Sequence, residues 1–209
     1  MKLQLSTEEE LIEEGSNLSD ETKIETIAFH FAQIMKTLGL DLNDPSLQRT
    51  PHRVAKMYVK EIFSGLDPDN FPQATIVKDT LPENGSPSII CVKVSFTSFC
   101  EHHFVPFVGT AYVAYKPSDK LIGLSKIPRI VRHFAKRPQL QERLTAQISE
   151  SLQEIMGTED VAVSIRATHF CVIARGVQDD ESEMTTNLLK GEFDSNPSLR
   201  REFFEAINR

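Results

Sequence analysis

The sequence predicts an α+β protein in which a strand-rich middle is flanked by helices. Apolar residues recur at intervals of three and four between Ile24 and Leu38, which is typical of an amphipathic helix. Residues 161–175 alternate in the manner of a strand, with an apolar stripe on one face. Apolar runs at 89–99 and 107–115 predict two further strands. Together these patterns indicate a sheet covered by helices.

Two N-terminal helices are expected after an acidic arm. Residues 1–18 carry five glutamates and predict a flexible arm. One helix is predicted over 20–39, where it ends at a glycine, and a second over 50–65, where Thr-Pro is a typical helix start. Residues 66–88 are rich in proline, aspartate and asparagine, and predict a loop with at most a short strand at 74–78.

The second half of the chain is expected to alternate helices and strands. Ser125 is predicted to cap a helix that Arg137 and Pro138 end. The same proline is expected to start the next helix, which closes at Gly157. After the strand over 161–175 we expect a polar loop, followed by a final helix that begins at Asn196-Pro197.

Composition narrows the class of protein. The 209 residues suffice for a sizeable core, and the net charge of -7 without a basic tract excludes nucleic acid as an expected partner. No apolar run reaches membrane-spanning length, so we expect no membrane association. Three cysteines and no signal-peptide core predict a reducing, cytoplasmic compartment. Cys91 is interpreted as a small packing residue.

Thiol and imidazole groups cluster in two short segments, 100–103 and 167–171. The segments hold two of the three cysteines and three of the six histidines: Cys100, His102, His103, His169 and Cys171. Thiolate and neutral imidazole are the ligands that zinc prefers. Cys100 and His103 form a Cys-x-x-His pair that can hold one ion only if the strand ends at about Cys100. The sequence therefore predicts a zinc site.

Five candidates exceed the four positions of a tetrahedral ion. A catalytic zinc site takes three protein ligands and leaves the fourth position to water, whereas a structural site is closed by four. Two cysteines and one histidine, with two further histidines nearby, fit the catalytic pattern better. Spare imidazoles beside a metal are suited to acid–base work. The residues alone leave open which of the histidines are spare.

A basic helix start predicts an anion site. Lys126, Arg129 and His133 lie on one face of the helix that opens at Ser125, beside its free N–H groups. The alternative is a solvated basic face. Arg175 favours the anion site, because strand alternation would place it on the face that carries His169 and Cys171.

Five motifs together resemble the GTP cyclohydrolase I family. They are the segments at 50–58, 100–104, 123–127, 137–145 and 174–177. The resemblance runs in order from about residue 20 to the C-terminus. It does not include the acidic arm or the loop around Asn84 and Gly85, so it implies nothing about those residues.

The resemblance implies a tunnelling fold (T-fold), with an antiparallel sheet, paired helices on one face and an N-terminal helical extension, assembled into a ring-shaped barrel. It implies a homodecamer with active sites between subunits. The corresponding domains are an arm over 1–18, a helical region over 19–65 and a catalytic domain over 66–209. It also divides the five candidates: the zinc ligands would be Cys100, His103 and Cys171, and the acid–base residues His102 and His169.

The implied reaction converts GTP and water to 7,8-dihydroneopterin triphosphate and formate. Zinc would activate a water that attacks C8 of the purine, His169 would protonate the ring nitrogen and His102 would shuttle protons. The implied substrate contacts fall into two groups. Those for the triphosphate and ribose are Ser125, Lys126, Arg129, Arg175 and, from a neighbouring subunit, Arg53. Those for guanine are Glu142 and, beside it, Gln141.

Other classes of protein are weaker alternatives. A T-fold nitrile reductase would use a nucleophilic cysteine and NADPH without a zinc triad. A non-catalytic, zinc-scaffolded interaction protein would close its site with a fourth protein ligand. A zinc deaminase would need a second cysteine close after Cys171, and the sequence has none there.

Overall fold

The computed structural model describes residues 18–78, 87–117 and 120–208. The chain divides into two compact units, Met1–Asp67 and Pro68–Arg209. Apart from Leu18, the predicted acidic arm lies outside the described residues, as does the loop around Asn84. Within the described part, no helix combines the length and the apolar character needed to cross a membrane.

The first unit contains the two predicted N-terminal helices. Helix α1 (Asp20–Thr37) begins after Ser19, whose hydroxyl accepts a hydrogen bond from the backbone N–H of Thr22. Helix α2 (Thr50–Met57) has proline in its first turn and continues into a π-helical segment, Tyr58–Ile62. Both helices are confirmed at the predicted places.

The second unit is built on a five-stranded sheet. Its strands are β2 (Ile90–Cys100), β3 (Pro106–Tyr115), β5 (Pro138–Gln139), β6 (Val161–His169) and β7 (Met184–Leu189). They lie side by side in the order β5-β2-β3-β6-β7. The pairs are antiparallel except for the short parallel pair of β2 with β5. A separate ribbon pairs β1 (Ile76–Lys78) with β4 (Lys120–Ile122).

Two helices cover one face of this sheet. Helix α3 (Lys126–Ala135) packs against β2, and α4 (Gln141–Met156) packs against β6 and β7. The core between these helices and the sheet is apolar and includes Ile130, Leu144 and Ile165, none of which is exposed to solvent. Burying each of these side chains stabilises the fold by roughly 1.5–3 kcal/mol.

A smaller cluster of buried apolar side chains lies on the C-terminal helices. After a four-residue helical turn, α5 (Phe170–Ile173), and strand β7, the chain forms α6 (Glu192–Ser195) and α7 (Pro197–Ile207). Helix α7 begins where the Asn-Pro pair predicted, and Asn196 caps it through its side-chain oxygen. Phe193 and Phe203 are fully buried in this cluster, and Cys91 packs against it, as predicted for a packing residue. The α+β class is confirmed.

Three local predictions were wrong. Strand β6 ends at His169 instead of reaching Arg175, because the backbone turns into α5 at Phe170. Pro138 does not start a helix but lies in β5, and α4 begins at Gln141. Ser125 precedes α3, but its hydroxyl caps no N–H, because the residue itself has helical backbone angles.

The polar segment after Arg175 also holds more structure than predicted. It was expected to be a loop, yet Met184–Leu189 forms β7, which pairs with β6 along the side opposite β3. Its alternate residues are half-buried and exposed, the pattern of a strand with one covered face.

Candidate active site

The end of β2 builds the first half of the metal-ligand group. The strand stops at Cys100, and residues 101–103 form a turn in which the N–H of Phe104 donates to the carbonyl of Cys100 at 2.9 Å. Phe104 has a φ of 53°, the left-handed conformation that closes such a turn. The condition for joint ligation by Cys100 and His103, a strand that ends at about Cys100, is therefore met.

Helix α5 supplies the second half. It carries Cys171, and the ligand atoms of Cys100, His103 and Cys171 all lie within 4.8 Å of one another. The Sγ of Cys100 is 3.9 Å from Nδ1 of His103. Zinc bonds of about 2.0–2.3 Å in a tetrahedron place neighbouring ligand atoms about 3.6–3.8 Å apart. Small side-chain adjustments therefore bring the three atoms to one ion, and the donor set fits zinc.

The charge state of the thiols supports the same interpretation. Burial and the neighbouring Cys100 raise the pKa of Cys171. Two sulfur atoms this close disfavour a second thiolate unless a cation lies between them. A bound dication reverses this preference, since coordinated thiols are deprotonated.

His102 lies beside this group without belonging to it. Its Nδ1 is also 3.9 Å from the Sγ of Cys100, but its side chain is 62% exposed. The next residue back, Glu101, forms two hydrogen bonds with Arg143 of α4, at 2.5 and 3.3 Å. Arg143 holds the pKa of Glu101 below its usual value. This ion pair ties the metal-binding turn to α4.

His169, the last residue of β6, is held on two sides. Its ring stacks flat on Phe107, with centroids 4.6 Å apart and planes 3° apart. Its Nε2 lies 2.8 Å from Oε1 of Gln141. Burial lowers the pKa of His169, and the charge of Glu142 opposes that shift. A partly desolvated imidazole with one nitrogen engaged is suited to proton transfer.

Gln141 and Glu142 are adjacent in sequence but differ in environment. The side chain of Glu142 is exposed in the first turn of α4. Gln141 is 1% exposed, and its amide nitrogen lies within hydrogen-bond distance of three acceptors, which share its two hydrogens: the carbonyl oxygens of Ile165 and Met184 and the hydroxyl of Thr186. This arrangement favours a supporting role for Gln141 over the direct guanine contact implied by the resemblance.

The predicted anion-binding cations lie in two places. Arg175 follows α5, and its Nη1 is 3.2 Å from Nε2 of His103. Lys126 and Arg129 occupy the first turn of α3, where Arg129 is exposed and Lys126 is half-buried. Arg175 is therefore close to the metal-ligand group, although the shared strand face from which this was predicted does not exist.

Two members of the predicted anion site have different surroundings. His133 is buried, and Arg137 donates to its Nε2 at 2.7 Å, so it does not belong to an exposed basic face. Ser125 is exposed just before α3. Arg53 belongs to the first unit, where its side chain is exposed on α2.

Sequence reasoning missed the residues that hold the site together. Phe107 under His169, Thr186 beside Gln141 and the Glu101–Arg143 pair were not predicted. Phe107 had a detectable signal, because it lies in a predicted strand directly beside the cluster segment. Thr186 had none, since β7 itself was not predicted.

Comparisons with known proteins agree with the resemblance. A family model described as GTP cyclohydrolase I matches residues 27–208. A protein named GTP cyclohydrolase 1 from Aeromonas hydrophila is 54% identical over 92% of this chain and 87% of its own length. Proteins of the same name from Aeromonas salmonicida and Vibrio campbellii are 55% and 53% identical, over 91% and 92% of this chain and 86% and 88% of their own lengths.

Proposed function

Because this chain belongs to the GTP cyclohydrolase I family, we propose that it is a zinc hydrolase that opens the imidazole ring of GTP at C8. The products are formate and 7,8-dihydroneopterin triphosphate, which makes this an entry step to pterins and folates. The observation that carries the proposal is the convergence of Cys100, His103 and Cys171 within reach of one ion, with His102 beside them.

We propose that Cys100, His103 and Cys171 hold the zinc. Three ligands, two of them thiolates, are the donor set of a catalytic zinc site. When bound, zinc supplies a Lewis acid that lowers the pKa of its bound water to about 7. Within the described part of the chain, this is the group of three side chains close enough to share an ion.

The two remaining histidines are proposed as the proton carriers. Burial favours the neutral ring of His169, whereas Glu142 and an anionic substrate favour its cation. GTP binding would therefore favour the protonated ring of His169. The purine nitrogen would receive this proton as its ring opens. The exposed ring of His102 can exchange protons with water and so serve the hydrolysis of the formyl group.

We propose that substrate binding uses the charges around this group. A chain of net charge -7 needs local cations to hold a triphosphate, and Lys126, Arg129 and Arg175 supply them, with Ser125 as a hydroxyl contact. The exposed carboxylate of Glu142 would accept from the ring N–H and exocyclic amine of guanine. Arg53 would reach the phosphates from a neighbouring subunit.

The assembly is proposed to be a T-fold ring, a decamer with active sites between subunits. Support comes from the sheet, in which the outer side of β7 and most of the outer side of β2 have no strand partner among the described residues. Joining such edges between copies closes a barrel.

The proposed domains are an arm over 1–18, a helical region over 19–65 and a catalytic domain over 66–209. Thiolate ligands need a reducing compartment, for which we propose the cytoplasm.

Formate release from GTP is the direct test. The zinc-loaded protein is expected to release one formate per GTP, and a chelator that removes the metal is expected to stop the reaction. Zinc-loaded protein that releases no formate contradicts the proposal. NADPH oxidation with a pterin-like nitrile would indicate the reductase alternative, and bound zinc with neither activity would indicate the scaffold alternative.

A further inference from the structure

We propose that Gln141 is a positioning residue that holds neutral His169 in the tautomer with hydrogen on Nε2, so that His169 exchanges protons with the substrate through Nδ1. The role in turnover rests on the proposed function. The tautomer rests on the hydrogen bonds around the Gln141 amide alone.

The orientation of the Gln141 amide is set by its surroundings. Its nitrogen lies 3.0 Å from the carbonyl oxygen of Met184 and 3.2 Å from that of Ile165. Carbonyl oxygens only accept hydrogen bonds, so the group that faces them must be the NH2. The reversed amide would place its oxygen against two others in a buried site, which is strongly unfavourable.

Two threonine hydroxyls reinforce this orientation. Thr145 donates to the backbone carbonyl of Gln141 at 2.8 Å, which uses its only hydrogen. Thr186, 2.7 Å from the Thr145 oxygen, must then donate to it, which leaves the Thr186 oxygen to accept from the Gln141 amide at 3.2 Å. The two hydrogens of the Gln141 NH2 are shared among three acceptors, and Thr145, Thr186 and Gln141 each donate in one consistent direction.

The consequence for His169 follows directly. The Gln141 oxygen, an acceptor, lies 2.8 Å from Nε2 of His169, so this nitrogen must carry a hydrogen. The flat stack on buried Phe107 fixes the plane of the ring. Turning the ring over would replace Nε2 by a carbon at this contact and lose the hydrogen bond. Nδ1 is therefore the nitrogen that remains for the substrate.

This arrangement suits a residue that both gives and takes a proton. When Nδ1 gains a proton, the ring becomes a cation with hydrogen on both nitrogens; when Nδ1 gives that proton to the substrate, the same neutral tautomer returns. The Gln141 oxygen accepts from Nε2 in both states. An amide does not itself take up the proton, as a carboxylate partner can. Gln141 thus holds the ring without entering the proton transfer.

Nitrogen NMR of the zinc-loaded full-length protein, with ¹⁵N-labelled histidine, tests the tautomer. His169→Ala identifies the signals by their loss. In the parent protein we expect the His169 Nε2 signal to be that of a protonated nitrogen and the Nδ1 signal that of an unprotonated one. In Gln141→Leu we expect the two shifts to move towards each other as the tautomers mix. Gln153→Leu is the matched control, because it makes the same change later in α4, where the amide contacts Glu159, and it should leave the shifts unchanged.

Steady-state kinetics on the same samples test the role of Gln141 in turnover. Gln141→Leu is expected to lower kcat by roughly 100-fold, the low end of an acid–base contribution, while the KM for GTP and the zinc content stay within about threefold. Gln153→Leu, whose amide contacts Glu159, should keep kcat within about threefold. A protonated Nδ1 in the parent protein overturns the inference, and so does a Gln141→Leu variant that keeps kcat or loses more in KM than in kcat.

The outcomes separate this inference from the proposed function. If the parent protein shows the expected tautomer but releases no formate, the function is wrong and the tautomer assignment stands. If it releases formate but carries hydrogen on Nδ1, the function stands and the positioning role fails. Should Gln141→Leu not fold, the parent spectrum still decides the tautomer, and Thr145→Val, which removes only the hydroxyl bonds behind the amide, is expected to weaken the preference.

Discussion

Nη1 of Arg175 lies 3.2 Å from Nε2 of His103, so a proposed phosphate contact and a proposed zinc ligand touch each other. A guanidinium only donates, so Nε2 accepts and the ring hydrogen of neutral His103 lies on Nδ1. Nδ1 is also the atom that faces Cys100, at 3.9 Å. Ligation through Nδ1 requires the hydrogen to move to Nε2, which removes the acceptor of Arg175. Metal binding at Nδ1 is therefore expected to free this guanidinium for an anion.

The first prediction concerns that guanidinium. Arg175→Ala is expected to raise the KM for GTP by about 10–100-fold, the loss of a charged hydrogen bond worth about 1.5–3 kcal/mol. Zinc content should not fall, because Arg175 is not a ligand. Arg132→Ala, which removes an exposed guanidinium from α3, serves as the control and should leave KM unchanged. An Arg175→Ala variant with the KM of the parent would remove Arg175 from the phosphate site.

The second prediction concerns the metal ligands. Cys171→Ala is expected to lose zinc and formate release together, because two remaining ligands hold zinc far more weakly than three. Cys91→Ala is the matched control, since Cys91 packs against the C-terminal helices and takes no part in the metal-ligand group. Metal analysis of the purified variants measures the outcome. Full zinc occupancy in Cys171→Ala would show that another residue completes the site.

The third prediction uses the reactivity of the same thiols. Burial raises the pKa of Cys91 to about 11, so at pH 8 about one in a thousand of these groups is a thiolate. Removing zinc is expected to open Cys171, which is half-buried, to alkylation by iodoacetamide, while Cys100, which is buried, reacts more slowly and Cys91 stays unmodified. Peptide mass spectrometry before and after chelation reads out each site. Rapid alkylation of Cys91 in the folded protein would contradict the assigned burial.

The fourth prediction concerns the ion pair that ties the metal-binding turn to α4. Arg143 lowers the pKa of Glu101 below its ordinary value of 4.5, so the pair stabilises the folded protein above that pH and the stabilisation is lost as pH falls. Arg143→Gln should therefore lower the urea midpoint at pH 7 and match the parent more closely near pH 3.5. Arg132→Gln should show no such pH dependence. A difference in urea midpoint between the parent and Arg143→Gln that grows as the pH falls would contradict this prediction.

The sequence predicted the features that depend on local chemistry. Helix α7 begins at the predicted Asn196-Pro197 pair, where Asn196 caps neighbouring N–H groups, and α4 ends at the predicted Gly157, which adopts a left-handed conformation. These signals lie within a few residues of the structure they determine. The Cys-x-x-His pair is local in the same sense, because one turn brings Cys100 and His103 together.

Features that depend on tertiary contacts were not predictable in this way. The apolar alternation continues past His169 through Cys171 and Ile173, although the chain there turns into α5. Periodicity reports which residues share a face only while the backbone stays extended. Gln141 and His169 are 28 residues apart, and their hydrogen bond depends on how α4 packs against β6.

The central claim is a division of five residues into three zinc ligands and two proton carriers. The most direct test measures zinc content and formate release from GTP on one preparation of His169→Ala. The division predicts that both the parent and this variant hold one zinc per chain, and that the variant loses turnover by at least about 100-fold. Loss of the zinc in His169→Ala, or formate release at the rate of the parent, would contradict it.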